Sequence, residues 1–269
     1  MKVFYFNSWY NFGDQLVPYL FKRFQIQIEN NLPPWADVIS IGSLLGYYLG
    51  NEIINYRPLH VLGTGFIQEP MAPNERFIRP MKFHALRGHL TKKRCEKMTG
   101  QELNDVLLGD PGLMMPLLFP KIKKNVKYDV GIILHQYDKK YDFLLKNFEF
   151  LYMKSILFDT KLPVEEFIEK VLSCKFIFSS ALHGLVCADS FGIPCQHIVL
   201  GPNVGTYKFY DYYSVFPHHR YNPVNLQDRR ITDEDVIKFG NAYNVWPNEI
   251  ELIRERYLDM FKHLADRLV

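Results

Sequence analysis

The chain has no apolar run of 18 residues, and this excludes a helix long enough to span a bilayer. A leader is not expected either. Met1-Lys2-Val3-Phe4-Tyr5-Phe6 reads as a short buried strand, and Asp14 follows too soon for a secretory signal. The four cysteines, Cys95, Cys174, Cys187 and Cys195, show no CxxC spacing. Cys187 and Cys195 sit in an apolar stretch, where a thiol behaves as a small hydrophobe. Neither a disulfide framework nor a zinc site is expected, and a reducing, cytoplasmic compartment is. Charge of one sign is also scarce. A net charge of +3 falls far short of a nucleic-acid surface, though it suits a small anion. Internal repeats, low-complexity tracts and the GxGxxG dinucleotide pattern are missing.

What is present is an ordinary globular composition, 48% hydrophobic and 23% charged over 269 residues. The 21 Phe and 17 Tyr serve a packed core or a carbohydrate site equally well. Short apolar runs alternate with Gly/Ser/Asn turns and helix-period segments. Val3–Phe6 leads through Asn11-Phe12-Gly13-Asp14 into Leu16, Val17, Leu20, Phe21 and Phe24, spaced for one helical face. Val38–Ile41, His60–Leu62, Lys82–Leu86 and Val106–Leu108 each end at a glycine or arginine corner. The polar, basic stretch 119–125 reads as a linker, after which the pattern restarts at Asp129–Leu134. Strand–turn–helix repeats of this kind predict an α/β chain with parallel sheets. Two Rossmann-like units are expected, residues 1–121 and 122–269, with their ligand beyond the carboxyl ends of the strands. A final helix through Ile250, Ile253, Tyr257, Phe261 and Leu264 is expected to pack across both. Thr232 with Asp235 resembles a capping box.

The densest chemical signal is Phe176-Ile177-Phe178-Ser179-Ser180-Ala181-Leu182-His183-Gly184. A strand runs into a serine pair able to cap the next helix, whose free N–H groups and dipole favour an anion. His183 in the first turn can donate to a phosphate or act as a general acid; it can equally be a structural histidine. Asn11, Gly13 and Asp14 occupy the matching corner of the first unit, as helix caps or ligand contacts. Gly63-Thr64-Gly65 is a third corner where backbone could meet a ligand. Arg87 and His135 each end a strand, Arg87 as a fork-shaped cation suited to carboxylate or phosphate. The run Tyr207–Tyr221 mixes rings with cations, so Lys208, Tyr212 and Arg220 are candidates for holding a sugar or a phosphate. The triplet Asp233-Glu234-Asp235 is better explained as capping than as a metal site, and Asp110-Pro111 as a rigid turn.

Taken together, NFGD after the first strand, GTG, the strand-terminal Arg87, the Gly109-Asp110-Pro111 turn and SSALHGLVCADSFGIPC resemble the polysaccharide pyruvyltransferase family. Lys208-Phe209-Tyr210-Asp211-Tyr212-Tyr213 resembles its branch that makes exopolysaccharide side-chain ketals. The resemblance implies a GT-B-like pair of Rossmann units. It also implies transfer of enolpyruvyl from phosphoenolpyruvate to a sugar of a bacterial surface polysaccharide or its precursor. In those terms Arg87 would clamp the donor, His183 would bind its phosphate or protonate it, and the end at Ser179-Ser180 would cradle the phosphate. No metal or organic cofactor is implied. The expected acceptor is a glycan or a lipid-linked oligosaccharide, with the basic aromatic surface Tyr207–Tyr221 a candidate contact for the inner face of the membrane. Many members carry Arg two residues before the motif His, where this chain has Ala181. A donor cation must then come from elsewhere, with Lys208 and Arg220 as candidates. Two other readings remain open at this level: a GT-B glycosyltransferase using a nucleotide sugar, and a protein that only binds glycan.

Overall fold

The computed structural model describes residues 1–202, 204–217, 221–243 and 246–268. Strands β1 (Lys2–Phe4), β2 (Glu29–Asn30), β3 (Val38–Ile39), β4 (Leu59–Leu62), β5 (Met81–Leu86) and β6 (Leu107–Leu108) form one parallel sheet. Their order is β2-β1-β3-β4-β5-β6. The second sheet holds β7 (Tyr128–Leu134), β9 (Ser155–Asp159), β10 (Cys174–Ser179), β11 (Cys195–Val199) and β12 (Val224–Asn225), in the order β12-β11-β10-β7-β9 and again parallel. A small pair, β8 (Phe148–Glu149) and β13 (Ile231–Thr232), stands apart. Numbered within each unit, both sheets share the beginning 2-1-3-4-5. Their strand order therefore reverses at β1/β3 in one and at β7/β10 in the other, and each reversal opens a crevice at the strands' carboxyl ends.

The chain is thus α/β with two Rossmann-like units, and the helices explain how they meet. In the first unit lie α1 (Phe12–Arg23), α2 (His89–Thr99) and the short α3 (Met115–Leu118). The second carries α4 (Val164–Leu172), α5 (Leu182–Ser190), α6 (Tyr207–Tyr213) and α7 (Asp233–Ala242), and α8 (Pro247–Leu268) ends the chain. The capping box of Thr232 and Asp235 is present at the start of α7. All four cysteines are free and buried, Cys187 and Cys195 among them. Where the sequence suggested a surface run at Tyr207–Tyr221, its first half is the helix α6, with Phe209, Tyr212 and Tyr213 buried.

Apolar burial falls into three clusters. One fills the outer face of the first sheet, around Ile39, Val61 and Leu86, and one the outer face of the second, around Val130, Phe178 and Ile198. The third runs without a break through both units, from Val3, Phe12 and Leu16 through Phe167, Leu185 and Val186 to Tyr257 and Phe261. Phe12 stacks on Phe167 with ring centroids 3.8 Å apart, and the Phe12 N–H donates to the Thr160 carbonyl at 2.7 Å. The helix α8 closes the same seam. Tyr257 Oη donates to the Gly109 carbonyl at 2.7 Å, Phe261 meets Phe21 and Phe24, and Arg254 donates to the carbonyls of Leu113 and Ser190. Gly63 and Gly109, at φ +100° and +143°, take backbone that other residues avoid, and both lie against α8, at Tyr257 and Ile253. Among the described residues no helix is long and apolar enough to cross a membrane.

A core shared in this way predicts unfolding as one unit. Phe167→Ala removes a fully buried ring and is expected to cost about 3–5 kcal/mol. Urea denaturation followed by far-UV circular dichroism and by tryptophan fluorescence is expected to show one coincident transition before and after the substitution. Two separated transitions would mean that the units are independent.

Candidate functional site

The two crevices meet. A pocket enclosing about 170 Å³ is lined from the first unit by Phe6, Trp9, Asn11, Asp14, Gly42, Ser43, Leu44, Tyr47 and Ile67, and from the second by His135, Gln136, Tyr137, Thr160, Ala181, Leu182, His183 and Lys208. Two helix starts face each other across it. Asn11 caps α1, its Oδ1 accepting the Gly13 N–H at 3.0 Å, so that end is occupied by its own side chain. The start of α5 differs. Its N-cap is Ala181, no side chain caps it, and Ala181, Leu182 and His183 all face the pocket. The first-turn N–H groups of a helix lack intrahelical partners, so this end remains available to an anion. Gly13 makes the closeness possible: a Cβ there would fall 1.9 Å from His183 Nδ1.

Lys208, on the first turn of α6, is only 7% exposed. No described residue accepts a hydrogen bond from its ammonium or lies within ion-pair distance, and the Phe209 ring centroid is 5.3 Å away. Burial, and then the Arg87 charge, lower its pKa to about 8, while Asp138 and Asp14 pull the other way. Asp14 turns toward the pocket without a hydrogen-bonding partner among the described residues. It is half-buried at the pocket wall, and desolvation raises its pKa to about 7 against the pull of Lys208. Asp138 is likewise raised by burial, and its Oδ1 is buried without a partner.

The two histidines are neutral. Burial, Lys208 and Arg87 hold His183 down to about 3, and burial, Lys208 and His183 do the same to His135. His183 Nε2 lies 3.7 Å from Asp110 Oδ2, and both atoms are buried without a hydrogen-bonding partner. With the ring uncharged near pH 7, this approach is not an ion pair. Asp110 caps the turn through Gly112 N–H at 2.8 Å, as its place before Pro111 suggested, and burial raises its pKa to about 6. His135 caps the segment after β7, its Nδ1 accepting the Tyr137 N–H at 3.3 Å.

Of the residues singled out in the sequence, the pocket gathers Asn11, Asp14, His135, His183 and Lys208, with Gly13 beneath the His183 ring. Arg87 is not among them. It is fully buried, with Nε on Asp211 at 3.0 Å and further bonds to Ser43 Oγ and the Phe66 carbonyl, so each of its three nitrogens is engaged inside the protein. In this arrangement it is an interior ion-pair partner and does not line the pocket. Nor do Gly63, Thr64 and Gly65 line the pocket. Thr64 holds the Gly42–Leu44 turn through its hydroxyl, and Gly65 leaves room for the Arg87 guanidinium, 2.6 Å from where a Cβ would stand. The serine pair does not cap α5: Ser179 Oγ bonds to the N–H and carbonyl of Ala181, and Ser180 Oγ accepts from the His135 N–H. Tyr212 is buried with its hydroxyl on Asp189 at 3.0 Å, away from the pocket. Arg220 lies outside the described residues. Trp9, Tyr47, Gln136, Tyr137 and Thr160 were not anticipated; they sit in loops and short turns where no periodicity marks them. Among the described residues no group of three metal-ligating side chains occurs.

A sequence model of the family described as polysaccharide pyruvyl transferase matches residues 11–200, a span that contains both helix starts. An uncharacterized protein of Acanthamoeba polyphaga mimivirus is 30% identical over 164 residues, 58% of this chain and 54% of that one. The chain thus spans about half the length of the curated relative it matches. A solved Klebsiella pneumoniae protein of uncharacterized function aligns with 83% of this chain and 92% of its own, at 11% identity and a TM-score of 0.47.

The reassignment of Arg87 is testable without any ligand. Arg87→Met strands the Asp211 carboxylate in the interior and is expected to cost about 3–5 kcal/mol in urea denaturation. A loss below about 1 kcal/mol, the scale of an exposed pair, would contradict the structural role.

Proposed function

Since the chain belongs to the polysaccharide pyruvyl transferase family, we propose that it transfers enolpyruvyl from phosphoenolpyruvate to a sugar of a surface polysaccharide or its precursor and closes it as a pyruvate ketal. The observation that carries this reading is Lys208, a buried cation without a bonded partner among the described residues, beside the uncapped start of α5. A buried unpaired charge is costly, and it is tolerated where a ligand of opposite charge completes it. Phosphate or carboxylate at Lys208 and the N–H groups of Leu182 and His183 does so, and Lys208 takes the place of the arginine that Ala181 lacks.

The chemistry needs a proton for the methylene carbon of the donor and a base for the sugar hydroxyl. His183, neutral with a pKa of about 3, has no proton to give near pH 7, so the acid role first attached to it moves. Asp14, held near 7, is protonated in a useful fraction at that pH. It gives its proton to C3, and the carboxylate left behind takes the proton of the hydroxyl adding at C2. Phosphate then departs on the Lys208 side, and the second hydroxyl of the same sugar attacks C2 and passes its proton to the departing phosphate as the ketal closes. His183 is left as a neutral hydrogen-bonding group facing the anion, its Nε2 turned to Asp110.

Thermal unfolding tests the reading. Phosphoenolpyruvate at ~100 times its dissociation constant adds about 2.7 kcal/mol of stability. The rise in midpoint is expected to vanish in Lys208→Met, a variant whose unliganded stability is unchanged or higher because an unpaired buried charge is gone. The sign with pH follows from both groups. Anion binding favours Lys208 charged and Asp14 protonated, so affinity is highest below pH 7 and falls as Asp14 ionises near 7 and Lys208 discharges near 8. Each group contributes up to about tenfold per pH unit. A midpoint raised by UDP-sugars and not by phosphoenolpyruvate would replace this reading with a glycosyltransferase.

A further inference from the structure

We propose that Trp9, Tyr47 and Tyr137, at the mouth of the pocket, form the seat of the acceptor's pyranose ring; this rests on the pyruvyl-transfer reading for what occupies the inner end. Each ring comes from a different segment: Trp9 from the loop between β1 and α1, Tyr47 from the turn after β3, Tyr137 from the turn after β7. They are 42%, 48% and 45% exposed, and all three line the same pocket. Single exposed aromatics are common on protein surfaces, but three brought to one mouth by both units form a patch with a use. Trp9 is held edge-on by Phe6, centroids 4.5 Å apart, and lies 6.2 Å from Tyr137 across the cleft. The Trp9 indole N–H and the hydroxyls of Tyr47 and Tyr137 have no hydrogen-bonding partner among the described residues.

The chemistry of this lip suits a sugar. A pyranose presents an apolar C–H face and a rim of hydroxyls, which matches flat rings bordered by free N–H, O–H and the Gln136 amide. Among the described residues the basic side chains lining the pocket are Lys208 and two neutral histidines, none of them on the lip with the three rings. Asp14 lies close enough to Tyr47 for its charge to act on the phenol, so a ring on the lip meets the proposed acid–base group from one side. The donor meets it from the other. Beyond Tyr137 a further hollow, lined by Gln136, Lys139 and Lys140, leads outward and leaves room for the rest of a glycan. The aromatic run at α6 does not compete for this role: Phe209, Tyr212 and Tyr213 are buried, and Tyr207 and Tyr210 face a separate cleft.

Ligand-observed saturation-transfer NMR with the methyl β-pyranosides of glucose, galactose and mannose, in the presence of phosphoenolpyruvate, tests the seat. At least one hexoside is expected to show transfer to its ring C–H protons, with acyclic sorbitol as the control that does not. Trp9→Ala and Tyr137→Ala are expected to weaken that hexoside by about tenfold. Tyr210→Ala, in the other cleft, should leave it unchanged. The thermal shift with phosphoenolpyruvate is expected to survive in all three variants, which also shows that they fold. Absence of transfer from all three hexosides, or equal transfer in Trp9→Ala and Tyr137→Ala, overturns the sugar seat. A wild-type protein that phosphoenolpyruvate does not stabilise overturns the donor reading instead, whatever the sugars do.

Discussion

The site depends on one buried ion pair. Asp211 on α6 accepts from Arg87 Nε at 3.0 Å, from Thr91 N–H at 2.8 Å and from Thr91 Oγ1 at 2.6 Å, with Arg87 and Asp211 both fully buried. These contacts seat a helix of the second unit on strand β5 and helix α2 of the first. Gly88 shows how tight the seat is, since a Cβ there would lie 1.8 Å from the Asp211 carbonyl oxygen. A buried pair is weak evidence of net stability, because desolvation offsets most of its attraction. Its value here is positional. Lys208 lies one turn before Asp211, so the arrangement that fixes the carboxylate also fixes the cation at the pocket.

Why Lys208 stays unpaired follows from the same arrangement. Asp211, three residues along the helix, is saturated by Arg87 and Thr91, and Arg87 itself depresses the Lys208 pKa. Of the two carboxyls nearest in effect, Asp14 and Asp138, burial raises both, and Asp14, at about 7, carries less than full charge near pH 7. Asp14 therefore answers the nearby Lys208 charge with a retained proton as much as with its own charge. Such a pocket accepts an anion without first breaking a salt bridge, and the proton that Asp14 retains is the one the proposed chemistry consumes.

Much of this was legible in the sequence. The strand–turn–helix alternation gives the two parallel sheets, and NFGD and LHG mark the two helix starts that face each other, because a short turn between a strand and a helix leaves a local signature. The roles of Arg87 and the Gly63-Thr64-Gly65 corner were not legible. A strand-terminal Arg beside a glycine corner has the chemistry of a ligand clamp, and only the fold brings Asp211 from 124 residues away to consume its donors. The serine pair misled in a similar way: the N-cap position falls on Ala181, just past both serines, and Ser179 turns back on the backbone. Trp9, Tyr47 and Tyr137 were invisible because each stands alone in a loop, and only their convergence gives them meaning.

The continuous core also limits how the pocket can work. Ligand sites between two units often close by hinge rotation, which requires an interface that slides or parts. Here Phe12 stacks on Phe167, the Phe12 N–H is bonded to Thr160, and α8 is bonded to both Leu113 and Ser190 across the seam. Parting the units would expose part of the largest apolar cluster and strand the Arg87–Asp211 pair in water or without a partner. The Gly13–His183 approach, with no room for a methyl group, already places the two helix starts at contact. Electrostatic preorganisation of this kind holds the anion end in its binding geometry before any ligand arrives. Adjustment to different acceptors then falls to the half-exposed rings at the mouth, which can change rotamer without moving a strand.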